Sequence, residues 1–222
     1  MYGNWLVPVK GARTRKPLDR PEQSWGLVVL AGGRGRRMGG VAKGLLRLPS
    51  GETVVEHLLE LAPDVPRFVS TNDPQAYERL EVPLVADVIA DRGAPGGVVT
   101  ALAMASTQWV VIVACDMPFV TREMIDTLLA HRHFHADAVC FTRDGQLEPL
   151  VACYRRVLCH DWEVRLDAHP SMRELITSTR LETVESREPQ RLISLNSPKD
   201  LARVGDESFR QLESSGTVSS QW

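Results

Sequence analysis

Long apolar runs are missing from this 222-residue chain. None approaches the roughly 18 residues that a membrane-spanning helix needs, so no span is expected. The first 25 residues hold no apolar stretch of the ~7–15 residues found in a secretory leader, so no signal peptide is expected. Cysteine is scarce. Cys115, Cys140, Cys153 and Cys159 form no C-x-x-C pair and show no metal-ligand spacing. That argues against a disulfide scaffold or a zinc site and predicts reduced thiols in the cytoplasm. Lysine is scarce too, with only Lys10, Lys16, Lys43 and Lys199 among 26 basic residues. No internal repeat is present.

What remains is ordinary in bulk and uneven in detail. Hydrophobic residues make 43% and charged residues 24%, as in a soluble domain long enough to bury a core. Net charge is −2, yet residues 1–50 are strongly basic and the remainder acidic. A basic front suggests an anionic ligand, while an acidic bulk argues against a general nucleic-acid binder. Residues 1–24 carry no clear periodicity and read as an irregular basic extension. Residues 205–222 read as a loose tail, leaving 25–204 as the domain.

Within the domain, apolar runs alternate with helical patterns. Strands are predicted at 26–31, 67–71, 83–86 and 109–114. Two more, at 138–142 and 150–154, flank an Asp144-Gly145 turn. Helices are predicted from the stripe Val54, Val55, Leu58, Leu59 and Leu61, at 74–80, at 96–106, and from Met124, Ile125, Leu128 and Leu129. Ser171 with Glu174 makes a capping box, and Ser197-Pro198 announces a last helix. Strand–helix alternation with near-continuous apolar strands predicts an α/β three-layer sandwich with a mostly parallel sheet. Ligands in such folds lie beyond the strand C-termini.

The first strand ends in Gly32-Gly33-Arg34-Gly35-Arg36-Arg37-Met38-Gly39-Gly40-Val41-Ala42-Lys43-Gly44. Glycines allow close backbone approach, backbone N–H groups cradle phosphate oxygens, and Arg34, Arg36, Arg37 and Lys43 add charge. A Walker loop would need Ser or Thr after the lysine, where Gly44 stands. A Rossmann fingerprint would need glycine at Met38 and an acid after strand two, where Thr71-Asn72 stands. The loop reads as a phosphate cradle of another kind, in preference to a flexible turn whose arginines are merely solvated.

The fourth strand ends in Cys115-Asp116-Met117-Pro118. A carboxylate at the mouth of a buried strand needs a partner, and Mg²⁺ held together with substrate phosphates suits it. Thr121 is the better cap for the helix that follows. Cys115 has no histidine near in sequence and reads as packing. Asp87 and Asp91 bracket a loop ending at Gly97, and either could bond a ribose or base or cap a turn. His131, His133 and His135 read as a helix end rather than a metal site.

These motifs together resemble the molybdenum cofactor guanylyltransferase (MobA) family. The resemblance rests on Leu30-Ala31-Gly32-Gly33 through Arg37 to Lys43-Gly44, on Cys115-Asp116-Met117-Pro118, and on Asp87 followed by Ala94-Pro95-Gly96-Gly97. Glu148-Pro149-Leu150 and Leu195-Asn196-Ser197-Pro198 match late motifs. It spans about residues 25–204. It implies a nucleotide-diphospho-sugar-transferase-like sandwich that resembles the Rossmann fold. It implies transfer of GMP from GTP to the phosphate of molybdopterin, with release of pyrophosphate. By resemblance Leu30, Ala31, Gly32, Gly33, Asn72 and Asp87 contact the nucleotide, Lys43 binds its phosphates, Asp116 holds Mg²⁺ and Arg37 assists. Molybdoenzyme apoproteins or their chaperones would receive the product. Glu148 stands where many relatives have His, and Ser194 replaces one Asn of an Asn-x-Asn pattern, leaving Asn196.

Rival readings differ at single features. Cytidylyltransferase relatives tend to carry Ala-Ala-Gly where Ala31-Gly32-Gly33 stands. Sugar-1-phosphate nucleotidyltransferases typically place Pro before the lysine. A non-catalytic nucleotide-binding module would not need both Lys43 and Asp116. A nucleic-acid binder using residues 10–20 would want interleaved aromatics, which are absent.

Overall fold

The computed structural model describes residues 24–32 and 42–195. Gly33, Arg37, Asn196, the helix expected after Ser197, the tail and all of the basic extension except Ser24 lie outside the described residues. Ser24 accepts backbone N–H bonds from Trp109, at its carbonyl, and from Gln108, at its hydroxyl.

Among the described residues, seven strands form one sheet: β1 (Trp25–Leu30), β2 (Arg67–Ser70), β3 (Leu84–Val85), β4 (Trp109–Ala114), β5 (Ala138–Arg143), β6 (Gln146–Arg155) and β7 (Leu181–Glu185). Their order is β3-β2-β1-β4-β6-β5-β7. β1 pairs in parallel with β2 and β4, β2 with β3, and β5 with β7. β6 runs antiparallel to both its neighbours. The mostly parallel sheet expected from the sequence is what forms.

Side-chain alternation assigns the two faces. Leu27, Val29, Val111 and Val113 point to one, where α1 (Val54–Glu60) and α3 (Arg122–Ala130) cover them through Val55, Leu58, Ile125 and Leu128. Val28, Leu30, Val110 and Ile112 point to the other. There α2 (Gly93–Met104), α4 (Leu158–Arg165) and α5 (Met172–Thr177) cover them through Val98, Leu102, Trp162 and Ile176. Two apolar layers on a central sheet make the three-layer sandwich. No described helix is long and apolar enough to cross a membrane.

Several boundaries differ from the sequence reading. The helix expected at 96–106 begins at Gly93, because the first-turn N–H groups have no intrahelical partner and Pro95 forfeits nothing there. The helix expected at 74–80 is one 3-10 turn, Pro74–Tyr77. Two elements had no counterpart in that reading. One is α4, whose only signal is Leu158, Trp162 and Leu166 at four-residue spacing. The other is β7, which is half-exposed and held by backbone pairing. The Asp144-Gly145 turn forms with both residues at positive φ, the pattern of a tight two-residue hairpin. Ser171 and Glu174 complete their capping box, and Thr53 with Glu56 forms a second one that the sequence reading passed over.

Asp137 ties β7 to the sheet. Arg180 donates to both its carboxylate oxygens, at 2.7 and 2.6 Å. These bonds hold the Asp137 carboxyl below the usual range, against a smaller opposing effect of burial. A carboxylate depressed in the fold stabilises it above the ordinary value, and that contribution is lost as pH falls through the lowered one. Asp137→Asn should therefore lower unfolding stability at pH 7 by about 1–2 kcal/mol. The gap should narrow below about pH 4. Urea denaturation at pH 7 and pH 3 checks this; a gap independent of pH would contradict it.

Candidate active site

The parallel strands β1, β2 and β4 end side by side, with Leu30 opposite both Ser70 and Ala114. Backbone bonds stitch the segments that leave them. Cys115 N–H donates to Leu30 at 2.9 Å, and Ala31 N–H donates to Ser70 at 2.8 Å. The Thr71 hydroxyl donates to the Ala31 carbonyl. The start of the glycine-rich loop and the acidic strand end are thus fixed as neighbours.

On the β2 side lies a polar corner. Asn72 Nδ2 donates to Asp87 Oδ2 at 2.8 Å, and Asp87 N–H returns a bond to Asn72 Oδ1 at 2.9 Å. The Ser70 hydroxyl donates to the other carboxylate oxygen. Gly32 packs against this pair: a Cβ there would sit 3.8 Å from Asn72 Nδ2. Asp87 therefore caps no helix, since α2 has Arg92 at its N-cap and no side-chain capping bond. Asp91 stands beside it at positive φ.

Lys43 sits in a short 3-10 turn, Lys43–Leu45, and its Nζ lies 3.2 Å from Asp116 Oδ2. Their side chains are 20% and 23% exposed, so both remain open to a ligand. The turn is seated by Gly44. A Cβ at that position would meet Val55 Cγ2 at 2.4 Å and the Tyr77 hydroxyl at 2.9 Å. Cys115, next to Asp116, is buried. Burial, reinforced by the Asp116 charge, pushes its thiol up to about 12, so it offers no thiolate near neutral pH. The Thr121 hydroxyl caps α3, leaving Asp116 free of that duty.

A groove of about 320 Å³ opens from Asp116 away from the strand interior. Met117, Leu150 and Met172 give it apolar walls, and Asp116, Glu148 and Ser194 add polar groups. Its size falls within the range of small-molecule pockets. Glu148 arrives there because β6 bulges: two steps along β5 correspond to five along β6 between their register pairs. Residues 148–150 have no register partner on β4 or β5, and Pro149, which has no N–H to donate, fits such a stretch. The chain returns to the site at Leu195, whose N–H donates to the Asp116 carbonyl at 2.7 Å.

Of the residues singled out in the sequence, Leu30, Ala31, Gly32, Lys43, Asn72, Asp87 and Asp116 converge at this edge. Gly33 and Arg37 lie outside the described residues. The histidines do not converge. His131 is the C-cap of α3, and His131 and His133 stand near Glu182, away from the site. Sequence reasoning missed Ser70, Thr71 and Tyr77, whose roles are in holding backbone and loop. Nothing in residue type alone distinguishes such positions.

A model of the MobA-like NTP transferase domain matches residues 27–184. A molybdenum cofactor guanylyltransferase of Pseudomonas entomophila is 34% identical over 184 residues, covering 78% of this chain and 94% of that one. One from Vibrio cholerae is 28% identical over 213 residues, covering 87% and 96%. Among solved structures, molybdopterin-guanine dinucleotide biosynthesis protein A from Archaeoglobus fulgidus superposes with a TM-score of 0.70. It is 24% identical and covers 83% of this chain and 99% of that one.

Gly44→Ala tests how the lysine turn is seated. The added methyl must displace Val55 or Tyr77, an overpacking that costs about 1–3 kcal/mol. It should lower the melting temperature and weaken nucleotide binding by at least tenfold as Lys43 shifts. Calorimetry and titration with GTP measure both. Unchanged binding in a destabilised protein would show that Lys43 does not depend on this seat.

Proposed function

The chain belongs to the MobA-like NTP transferase family and is a nucleotidyltransferase, and from that premise we propose that it transfers GMP from GTP to the phosphate of molybdopterin. The observation that carries the reading is the Lys43–Asp116 contact, a cation and a carboxylate at the meeting of two strand ends. The Asn72–Asp87 corner and the start of the glycine-rich loop lie to one side, and the Glu148 groove opens beside Asp116. One side suits a nucleotide and the other an acceptor. In this reading the protein works in the cytoplasm, where GTP is available.

The reaction is an exchange of phosphoryl oxygens. An oxygen of the acceptor phosphate forms a bond to the α-phosphorus of GTP, the bond to the β-phosphate oxygen breaks, and pyrophosphate leaves. At neutral pH the acceptor oxygen is already anionic, so no side chain need remove a proton. Catalysis then rests on alignment and charge neutralisation. In this proposal Leu30, Ala31, Gly32 and Gly33 lay backbone along the nucleotide. Asn72 and Asp87 hold its base or ribose. Lys43, with Arg37, receives the phosphates.

Among the described residues no group of three or more His, Cys, Asp or Glu is placed to hold a metal. A cation at Asp116 would draw most of its shell from phosphates and water, a donor set that fits Mg²⁺. Bound there, Mg²⁺ would supply charge neutralisation for the reacting phosphates.

Asp116→Asn keeps the shape but removes the charge. It should stay folded, retain some GTP binding, and lose transfer by about 10²-fold, equivalent to roughly 3 kcal/mol of transition-state stabilisation. The assay is incubation with molybdopterin, Mg²⁺ and labelled GTP or CTP, scoring pyrophosphate and dinucleotide. Near-normal turnover in the folded variant would remove Asp116 from the chemistry. Equal or better wild-type turnover with CTP would overturn the choice of base, because a site built to bond one base leaves groups unpaired with another.

A further inference from the structure

We propose that Glu148 reads the heterocycle of the acceptor, its carboxylate accepting the ring N–H and exocyclic amino group of a pterin lying in the groove beside Asp116. The proposal rests on the acceptor reading above and adds the residue that would select the acceptor's ring.

Three observations carry it. First, Glu148 is a carboxylate in a groove that must admit a phosphate, and a negative charge there works against an anionic ligand unless it bonds a donor on that ligand. The side chain is only 17% exposed, and a largely buried carboxylate favours donors. Second, it is held in position. Arg143 Nε donates to Oε1 at 2.8 Å and Nη2 lies 2.7 Å from the same oxygen in an ion pair, while Oε2 meets no donor among the described residues. The arginine offsets the charge and fixes the plane, leaving an acceptor oxygen for a ligand. Third, the surroundings suit a flat ring. Met117, Leu150 and Met172 supply polarisable apolar surface around the carboxylate.

A 2-amino-4-oxopyrimidine edge presents two adjacent N–H donors, from the ring and from the amino group. A carboxylate complements that pair, and a carboxamide does so poorly because it turns one acceptor into a donor. The hairpin explains how the residue comes to stand there. Arg143 precedes the Asp144-Gly145 turn, and the β6 bulge carries Glu148 out of the sheet toward Asp116.

The test compares Glu148→Gln with Arg143→Gln in the full-length protein, using GTP, Mg²⁺ and molybdopterin, with 6-hydroxymethylpterin as a direct fluorescent binding probe. Glu148→Gln should raise KM for molybdopterin tenfold or more and weaken the pterin probe equally. Its KM for GTP and its melting temperature should stay near wild type. Arg143→Gln, which leaves the carboxylate in place, should raise the acceptor KM less than threefold.

Equal damage from the two variants would reduce the pair to a hairpin clasp and overturn the proposal. So would a rise in the KM for GTP alone, since guanine carries the same donor edge. Wild-type transfer to molybdopterin with an unaltered Glu148→Gln variant overturns this inference and leaves the acceptor reading standing. Pterin binding that requires Glu148, in a protein that never transfers GMP to molybdopterin, does the reverse.

Discussion

The parallel pairing of β1 with β4, which sets Leu30 opposite Ala114, is the constraint on which the site depends. Both strands are buried on both faces, so their register is fixed by the side chains of two cores. A one-residue slip would exchange Val28 and Val29 between those cores and move Asp116 relative to the glycine-rich loop. The Cys115–Leu30 and Ala31–Ser70 bonds continue the pairing past the strand ends. Rigidity is thereby carried to the two segments whose residues must align reacting groups to a fraction of an ångström.

At the end of that frame stand two opposite charges 3.2 Å apart. In water their attraction at such a distance is about 1 kcal/mol, rising to about 5 kcal/mol at the effective dielectric of a protein surface. Desolvation and side-chain ordering consume much of this, and partly exposed pairs end near 0–1 kcal/mol net. The contact is therefore weak enough to be exchanged. In the proposed reaction a nucleotide would offer Lys43 phosphates, and a cation would offer Asp116 a stronger partner. A half-exposed pair can make that exchange cheaply where a fully buried one could not.

Much of this was legible in the sequence, and the reasons differ by element. β1 and β4 are continuous apolar runs followed by glycine and aspartate, so both strands could be read directly. Thr121 and Ser171 announced helix starts because capping is local chemistry. β7 could not be read, since it is half-exposed and its stability comes from β5 and from Asp137, 44 positions before Leu181. The start of α2 was misplaced because glycine and proline were weighed as loop residues, while in a first helical turn neither conflicts with the geometry. Asp87 is ambiguous in the sequence between bonding a ribose or base and capping a turn, because its partner Asn72 is brought near only by the fold. The bulge that delivers Glu148 left a trace in Pro149 alone.

The reversed strand explains why this sheet has a second side to its site. In a wholly parallel sheet each strand presents its C-terminal end to the ligand edge, and all the loops there descend from strand ends. β6 runs the other way, so it brings an early segment, residues 148–150, to the same edge. That segment lies inside a strand and not at the tip of a loop. It is braced by pairing on both sides from Ala152 onward and by Tyr154, whose hydroxyl donates to the Pro149 carbonyl. A nucleotide can be met by loops that follow buried parallel strands, because backbone N–H groups suffice for phosphates. A second substrate whose ring must be told from others needs a fixed side chain, and a bulge in an otherwise paired strand provides one. The reversed strand thus marks the division between the two proposed substrates, with Asp116 just past the end of the strand beside it.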